Sequence, residues 1–275
     1  MISARQTLEP GSIHGAAIGP RDGTSAVVRP TVGRPGHVFH ASCRPHSWSL
    51  FGVHLRLEAG RAVQPAGVDV CASADARGMQ RDEAAAASLA EAARSLAPQL
   101  GGCRVWLWCS GRIPSGRFVT LLAGSASLRG VSRDNLGLEL SAQAVASAGE
   151  EGVRRLDELR SAGIGVLIRL SVPARPLSPA RGAQHGAGDR EATCGGMGEA
   201  PDLERLAGGL QRAHMLGLSA VATAVGRRDW AMQLGDAGFA AVSGPVVCSP
   251  TDLGGIRKFI GPAEPWLSRM RADSV

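Results

Sequence analysis

Short apolar runs alternate along most of the chain with longer stretches of helical period, and this alternation predicts a succession of strand and helix units. "SLFGVHLRL" and "AVQPAGVDV" have the composition of strands, and "RDEAAAASLAEAARSLAPQL" that of a helix with acidic residues in its first turn. "CRVWLWCS" and "LGLELS" are the next strands. In "GEEGVRRLDELRSAG" the spacing places Val153, Leu156 and Leu159 on one helix face, with Gly163 as the stop. "IGVLIRL" is a near-continuous apolar run, as expected of a strand covered on both faces. A helix over 202–215, a strand "SAVATAV", a helix "RRDWAMQLGDAG", a short strand "FAAVSG" and a last helix over 251–260 follow. Repeated units of this kind imply parallel strands joined by right-handed crossovers. Their number favours a closed α/β barrel, a TIM-like (β/α)8 architecture, over an open sheet.

Two regions break the rhythm. Residues 1–36 are rich in Gly, Pro, Arg and Ser without a sustained period and are expected to form a flexible tail. Residues 171–201 are Pro- and Gly-rich and are expected to form a loop. The expected organisation is a tail over 1–36, a barrel over 37–262 and a C-terminal tail over 263–275.

Composition changes this picture little. At 275 residues one domain is the default, and 44% hydrophobic with 20% charged residues is ordinary for a globular chain. Aromatics are only 4% and Tyr is absent, so the core must rest on Leu, Val, Ile and Ala. The net charge of +6 is scattered, and every basic residue except Lys258 is Arg, so no stripe for nucleic acid is expected. The six cysteines (43, 71, 103, 109, 194 and 248) form no C-x-x-C pair, which points to free thiols. His37, His40, Cys43 and His46 recur every third residue, but that spacing on a strand sends alternate side chains to opposite faces, and Pro45 prevents a helix that would gather them. Without a secretion signal or an apolar run long enough to span a bilayer, the expectation is a cytoplasmic protein with no membrane contact.

In a barrel of this type functional groups project from the carboxyl ends of the strands. The positions there are Asp69, Trp108 with Cys109, Glu139, Arg169 with Leu170, Thr223, and Ser243 followed by Gly244. Two carboxylates, one Arg and several neutral groups are a poor nest for a divalent cation, which wants several oxygen ligands and negative charge. Trp106, Trp230, His54 and His214 are expected to be ordinary core, strand or helix residues, and Asp69 and Glu139 to pair with nearby Arg. No G-x-S-x-G elbow, H-E-x-x-H helix, P-loop or G-x-G-x-x-G supports another chemistry.

The stretch "AHMLGLSAVATAVGRRDWAMQLGDAGFAAVSGPVVCSP" resembles the closing segment of EAL domains, the bacterial cyclic di-GMP phosphodiesterases, which reads A-x-x-L-G-x-x-V-V-A-E-G-V-E-T, a helix, then L-x-x-x-G-x-x-x-x-Q-G-Y-x-x-x-x-P. "LGLELSAQAVASAGEEGVRRLDELRSAGIGVLIRL" is similar to the family's L-E-L-T-E-S strand, its helix and the strand that ends in D-D-F-G. "RVWLWCSGR" and "AGRAVQPAGVDVCAS" sit where the family has V-N-L-S and G-x-x-x-G-x-E-A-L-x-R, so that the likeness spans Phe39 to Ile260 with 171–201 unmatched.

The resemblance implies a barrel whose two divalent metals activate water for attack on cyclic di-GMP. It also implies that the ligands are gone. The signature Glu falls on Asp69 and its Arg on Ser73, and the metal-binding Asn falls on Trp108. The first Glu of L-E-L-T-E is kept as Glu139, whereas the second is Ala142. The paired Asp become Arg169 and Leu170, the Glu residues of A-E-G-V-E become Thr223 and Gly226, and the Gln of Q-G-Y becomes Ser243 before the retained Gly244. Arg in a dication's place costs on the order of a few kcal/mol per contact near 4 Å at an effective dielectric of 20. The catalytic Lys has no counterpart, because Lys258 lies beyond the last matched strand. The reading is therefore a catalytically inactive, degenerate EAL-like domain without catalytic residues, metal or cofactor. It would serve as a regulatory or protein-interaction module. Cyclic di-GMP binding is the alternative, and active hydrolysis a more distant one.

Overall fold

The structure, a computed structural model, describes residues 36–58, 76–172 and 201–261. Seven strands close into a barrel in chain order: β1 (Gly36–Cys43), β2 (Leu50–Glu58), β3 (Arg104–Cys109), β4 (Leu136–Ser141), β5 (Gly165–Ser171), β6 (Ser219–Thr223) and β7 (Ala241–Ser243). The helices are α1 (Ala76–Leu100), α2 (Gly116–Leu128), α3 (Ala142–Ala146), α4 (Gly149–Ser161), α5 (Leu203–Met215), α6 (Arg228–Asp236) and α7 (Leu253–Ile260). The TIM-like architecture stands, with two corrections. Among the described residues the ring holds seven strands rather than eight, and β5 is hydrogen-bonded directly to β6 with no strand between them. In addition, β1 runs antiparallel to both β2 and β7, whereas β2 to β7 are parallel.

The strand expected at "AVQPAGVDV", residues 173–200 of the loop expected over 171–201, all but the last residue of the tail expected over 1–36 and the whole tail expected over 263–275 lie outside the described residues. Two smaller expectations also change. Helix α1 begins at Ala76, so Asp82 and Glu83 fall beyond its first turn. Val153 is 36% exposed, and the buried face of α4 is formed by Gly152, Leu156 and Leu159.

Period-2 alternation divides every strand between two cores. The outward residues Val53, Leu55, Val105, Leu107, Leu136, Leu138, Leu140 and Ile168 pack with helix residues such as Leu89, Leu96, Leu122, Leu156 and Leu159 in one large apolar cluster. A separate small cluster of Trp106, Leu167, Val221 and Ala241 fills the inside, with Phe51 against it. Phe51 is the extra residue of a bulge, because Ser42 pairs with Gly52 and Cys43 with Leu50. The bulge lays the Phe51 ring parallel to Trp106, with centroids 5.9 Å apart. The indole also needs two glycines beside it, since a Cβ on Gly52 or Gly137 would come within 2.3 or 2.1 Å of its atoms.

Two helix starts carry ordinary side-chain caps, Ser115 accepting from the Phe118 amide at α2 and Asp202 from the Arg205 amide at α5, whereas α4 and α6 have none. The seam is narrow. β1 meets β7 at only two register positions, Ser42 with Ser243 and Cys43 with Val242, supplemented by a bridge between Phe39 and Thr251. Among the described residues Cys43, Cys103 and Cys248 carry free thiols, while Cys71 and Cys194 lie outside them. Among the described residues no helix is long and apolar enough to cross a membrane.

Candidate functional site

The inward positions of β1, β2, β3, β4 and β5 carry polar and charged groups into the barrel. On β2, Gly52, His54 and Arg56 alternate with outward Val53, Leu55 and Leu57, so a half-polar strand becomes the wall of a closed ring. Glu139 on β4 is 2% exposed, His54 5% and Ser42 fully enclosed. The His54 Nδ1 lies 2.8 Å from Glu139 Oε2, and its Nε2 lies 2.7 Å from the Ser42 hydroxyl. Ser42 also lies within reach of the Gly52 carbonyl, to which its hydroxyl donates at 3.4 Å.

Above this relay, Arg169 places its Nε 3.9 Å from Glu139 Oε1. Its guanidinium carbon is 4.3 Å from the Trp108 ring centroid, and that of Arg56 is 4.4 Å from the same ring. Two guanidiniums thus engage one indole, an arrangement suited to Arg because its planar, weakly hydrated group stacks on aromatic faces.

The charges set the titration of their neighbours. Burial alone would raise the Glu139 carboxyl, but the charge and hydrogen bond of His54, followed by Arg169 and His40, outweigh it and hold the carboxyl at about 2. Glu139 is therefore a carboxylate, accepting from His54. Burial lowers His40 to about 4, assisted by His54, Arg169 and Arg56 and opposed by Glu139. His40 is accordingly neutral near pH 7.

Of the positions singled out in the sequence, the structure brings Trp108, Glu139 and Arg169 together. Thr223 ends β6, where its hydroxyl lies 3.3 Å from that of Ser171. Ser243 ends β7 opposite Ser42, and its carbonyl accepts from the Val225 amide. Gly244 has φ +130°, and a Cβ there would come within 2.5 Å of the Val225 nitrogen, so glycine is required for the loops after β6 and β7 to meet. Asp69 and Ser73 lie outside the described residues.

Trp106 and Trp230 are buried, as expected, and His214 is exposed on α5. His54 is not the ordinary strand residue that its surroundings in the sequence suggest. Sequence reasoning missed its role together with Ser42 and Arg56, and considered His40 only as one of the series set aside as metal ligands. The available signal was a polar residue at every second position of β2 in a chain expected to close into a barrel.

The order Ser42, His54, Glu139 matches the geometry of a nucleophile, base and orienting acid. Ser42 is enclosed, however, and in this position the chain of hydrogen bonds ties β1, β2 and β4 together.

Nor do the described residues fit the metals that the resemblance implies. One Glu139 oxygen is held by His54 and the other faces Arg169, while the nearby positions are indole, guanidinium and hydroxyl. Among the described residues no group of three or more His, Cys, Asp or Glu is arranged to hold an ion. The His37, His40, Cys43, His46 series is dispersed as its spacing predicts: His37 lies 3.2 Å from the Ser88 hydroxyl, and His46 lies 3.5 Å from Asp236.

No protein-family model and no curated sequence matches the chain. Solved structures do. The phosphodiesterase PaMucR in complex with cyclic di-GMP is 13% identical, with a TM-score of 0.56, covering 82% of this chain and 100% of that one. The EAL domain of Mycobacterium smegmatis DcpA is 15% identical, with a TM-score of 0.54 over 82% of this chain and 97% of that one. The EAL enzyme Bd1971, bound to cAMP and cyclic di-GMP, is 15% identical with a TM-score of 0.54, and the chain spans only 65% of its length. The structural neighbours of this barrel are thus EAL domains, and the fold is theirs.

Proposed function

We propose that this chain is a non-hydrolysing EAL-like domain, acting in the cytoplasm as a regulatory or protein-interaction module in cyclic di-GMP-related signalling. The state of Glu139 carries the reading. The carboxylate at this strand end is buried, bonded to His54 and faced by a fixed guanidinium, and so is not presented to a metal or to water. The connection to cyclic di-GMP rests on the neighbours that share the fold and on the ordered spacing of the motifs. Purified protein supplied with cyclic di-GMP and either magnesium or manganese is expected to release no linear product. Enzyme-concentration-dependent turnover would overturn the proposal.

A second reading, a cyclic di-GMP receptor without turnover, is favoured by the two guanidiniums at the barrel mouth, because charge-assisted bonds to phosphate are strong. It is opposed by the engagement of Trp108, whose ring already serves both arginines rather than a guanine base. Calorimetry with the nucleotide decides between the two: no heat at micromolar concentration retains the interaction module, and saturable binding selects the receptor.

A further inference from the structure

Both oxygens of Glu139 are accounted for. Oε2 is 2.8 Å from His54 Nδ1, and Oε1 is 3.9 Å from Arg169 Nε. Arg169 is seated by more than that pair, since its guanidinium lies over Trp108 and its side chain is only 16% exposed. A guanidinium keeps its charge at any ordinary pH, and its weak hydration makes partial burial against an indole tolerable. A dication approaching Glu139 would meet Arg169, and the Arg56 guanidinium, 4.4 Å from the centroid of the same indole, adds a second positive charge nearby. Repulsion at such distances is costly in a partly desolvated site.

We propose that the Arg169 guanidinium is a resident cation, seated on Trp108 against the β4 carboxylate in the place where an EAL barrel would be expected to hold a divalent ion. This barrel neutralises Glu139 from within and is closed to metal. Arg169 is here a positioning residue, acting on Glu139 rather than on any substrate. The inference rests on the reading of the mouth as non-hydrolysing, but it fails separately: bound manganese without turnover removes the resident cation and leaves the proposed function intact, whereas turnover removes the proposed function.

The test uses the full chain. The electron paramagnetic resonance signal of free manganese is recorded with wild type and with Arg169→Asp, which returns a carboxylate beside Glu139. Wild type is expected to leave the signal undiminished, and the variant to diminish it saturably. The thermal midpoint of Arg169→Gln, which removes charge without adding a ligand, provides a second measurement. It is expected to fall below that of wild type and to recover by about 4 °C at manganese concentrations near ten times the Kd, while the wild-type midpoint does not move. Manganese binding by wild type as strong as by the Asp variant would overturn the proposal. So would a midpoint of wild type that rises with manganese as much as that of the Gln variant.

Discussion

Leu138 and Glu139 are consecutive on β4 and almost equally hidden from water, yet they face opposite environments. Leu138 looks outward into a layer of aliphatic side chains between strands and helices, where apolar area removed from water is sufficient for stability. Glu139 looks inward to His54 and Arg169, where burial is tolerable only because each charge has a partner. The outer layer can accept many substitutions of similar volume. The inner set can accept few, since removing one member strands the others.

The largest expected effect breaks this comparison directly. Glu139→Ala leaves Arg169 without this carboxylate and His54 without an acceptor, and should cost about 3–5 kcal/mol in urea denaturation. Leu138→Ala should cost about 2–5 kcal/mol through a cavity alone. The contrast lies in pH: the Leu138 loss should be constant from pH 7 down to pH 3, whereas the Glu139 loss should hold to about pH 4.5 and shrink below it, because the unfolded carboxyl takes up its proton there while the folded one stays ionised to about 2. Equal pH profiles would mean that the interior is held by packing rather than by charge.

The next effect concerns His40. Its folded-state value of about 4 lies below the ordinary 6.5, so the unfolded chain takes up the proton first as pH falls. Stability is then fully present above about 6.5 and is lost down to about 4, by on the order of 3 kcal/mol. Glu139, lowered to about 2, extends the loss in the same direction below the ordinary carboxylate value of 4.5. His40→Gln should flatten the upper window and leave the lower one, as read from urea midpoints at pH 7, 5 and 4.

The smallest effect compares glycines on the two sides of the wall. Gly137→Ala would place a Cβ 2.1 Å from the Trp106 ring, which cannot yield inside the barrel, and should cost about 1–3 kcal/mol. Gly209→Ala on α5 meets the tip of Leu170 at 2.6 Å, a side chain that can turn aside. Gain of helix propensity should offset that contact, leaving a change within about 1 kcal/mol. Thermal midpoints of the two variants report the difference.

The outer layer is also the part that the sequence makes legible. Runs such as "LGLELS" and "IGVLIRL" announce strands because one face is continuously apolar, and Leu156 and Leu159 mark the inner side of α4 for the same reason. The Trp108, Glu139 and Arg169 cluster can be anticipated as strand-end positions, and the pairing of Glu139 with an Arg as well, although not the seating of Arg169 on Trp108. What escapes is decided by ring closure. "GHVFHASC" shows only weak alternation; its antiparallel direction is set by the hairpin with β2, but its place in the ring also needs β7 at the far end of the chain. Ser42 and His54 acquire their roles only when β1, β2 and β4 meet across the axis, a relation with no local signature. The count of strands likewise depends on β5 and β6 pairing directly.

The narrow seam between β1 and β7 joins segments about two hundred residues apart. While the protein emerges from the ribosome, β1 can form a hairpin with β2, but its second edge must wait unpaired until β7 and the Thr251 bridge have been synthesised. Closure is therefore a late, long-range event in the life of the nascent chain, and a product truncated before residue 240 would retain an open edge prone to pairing with other chains.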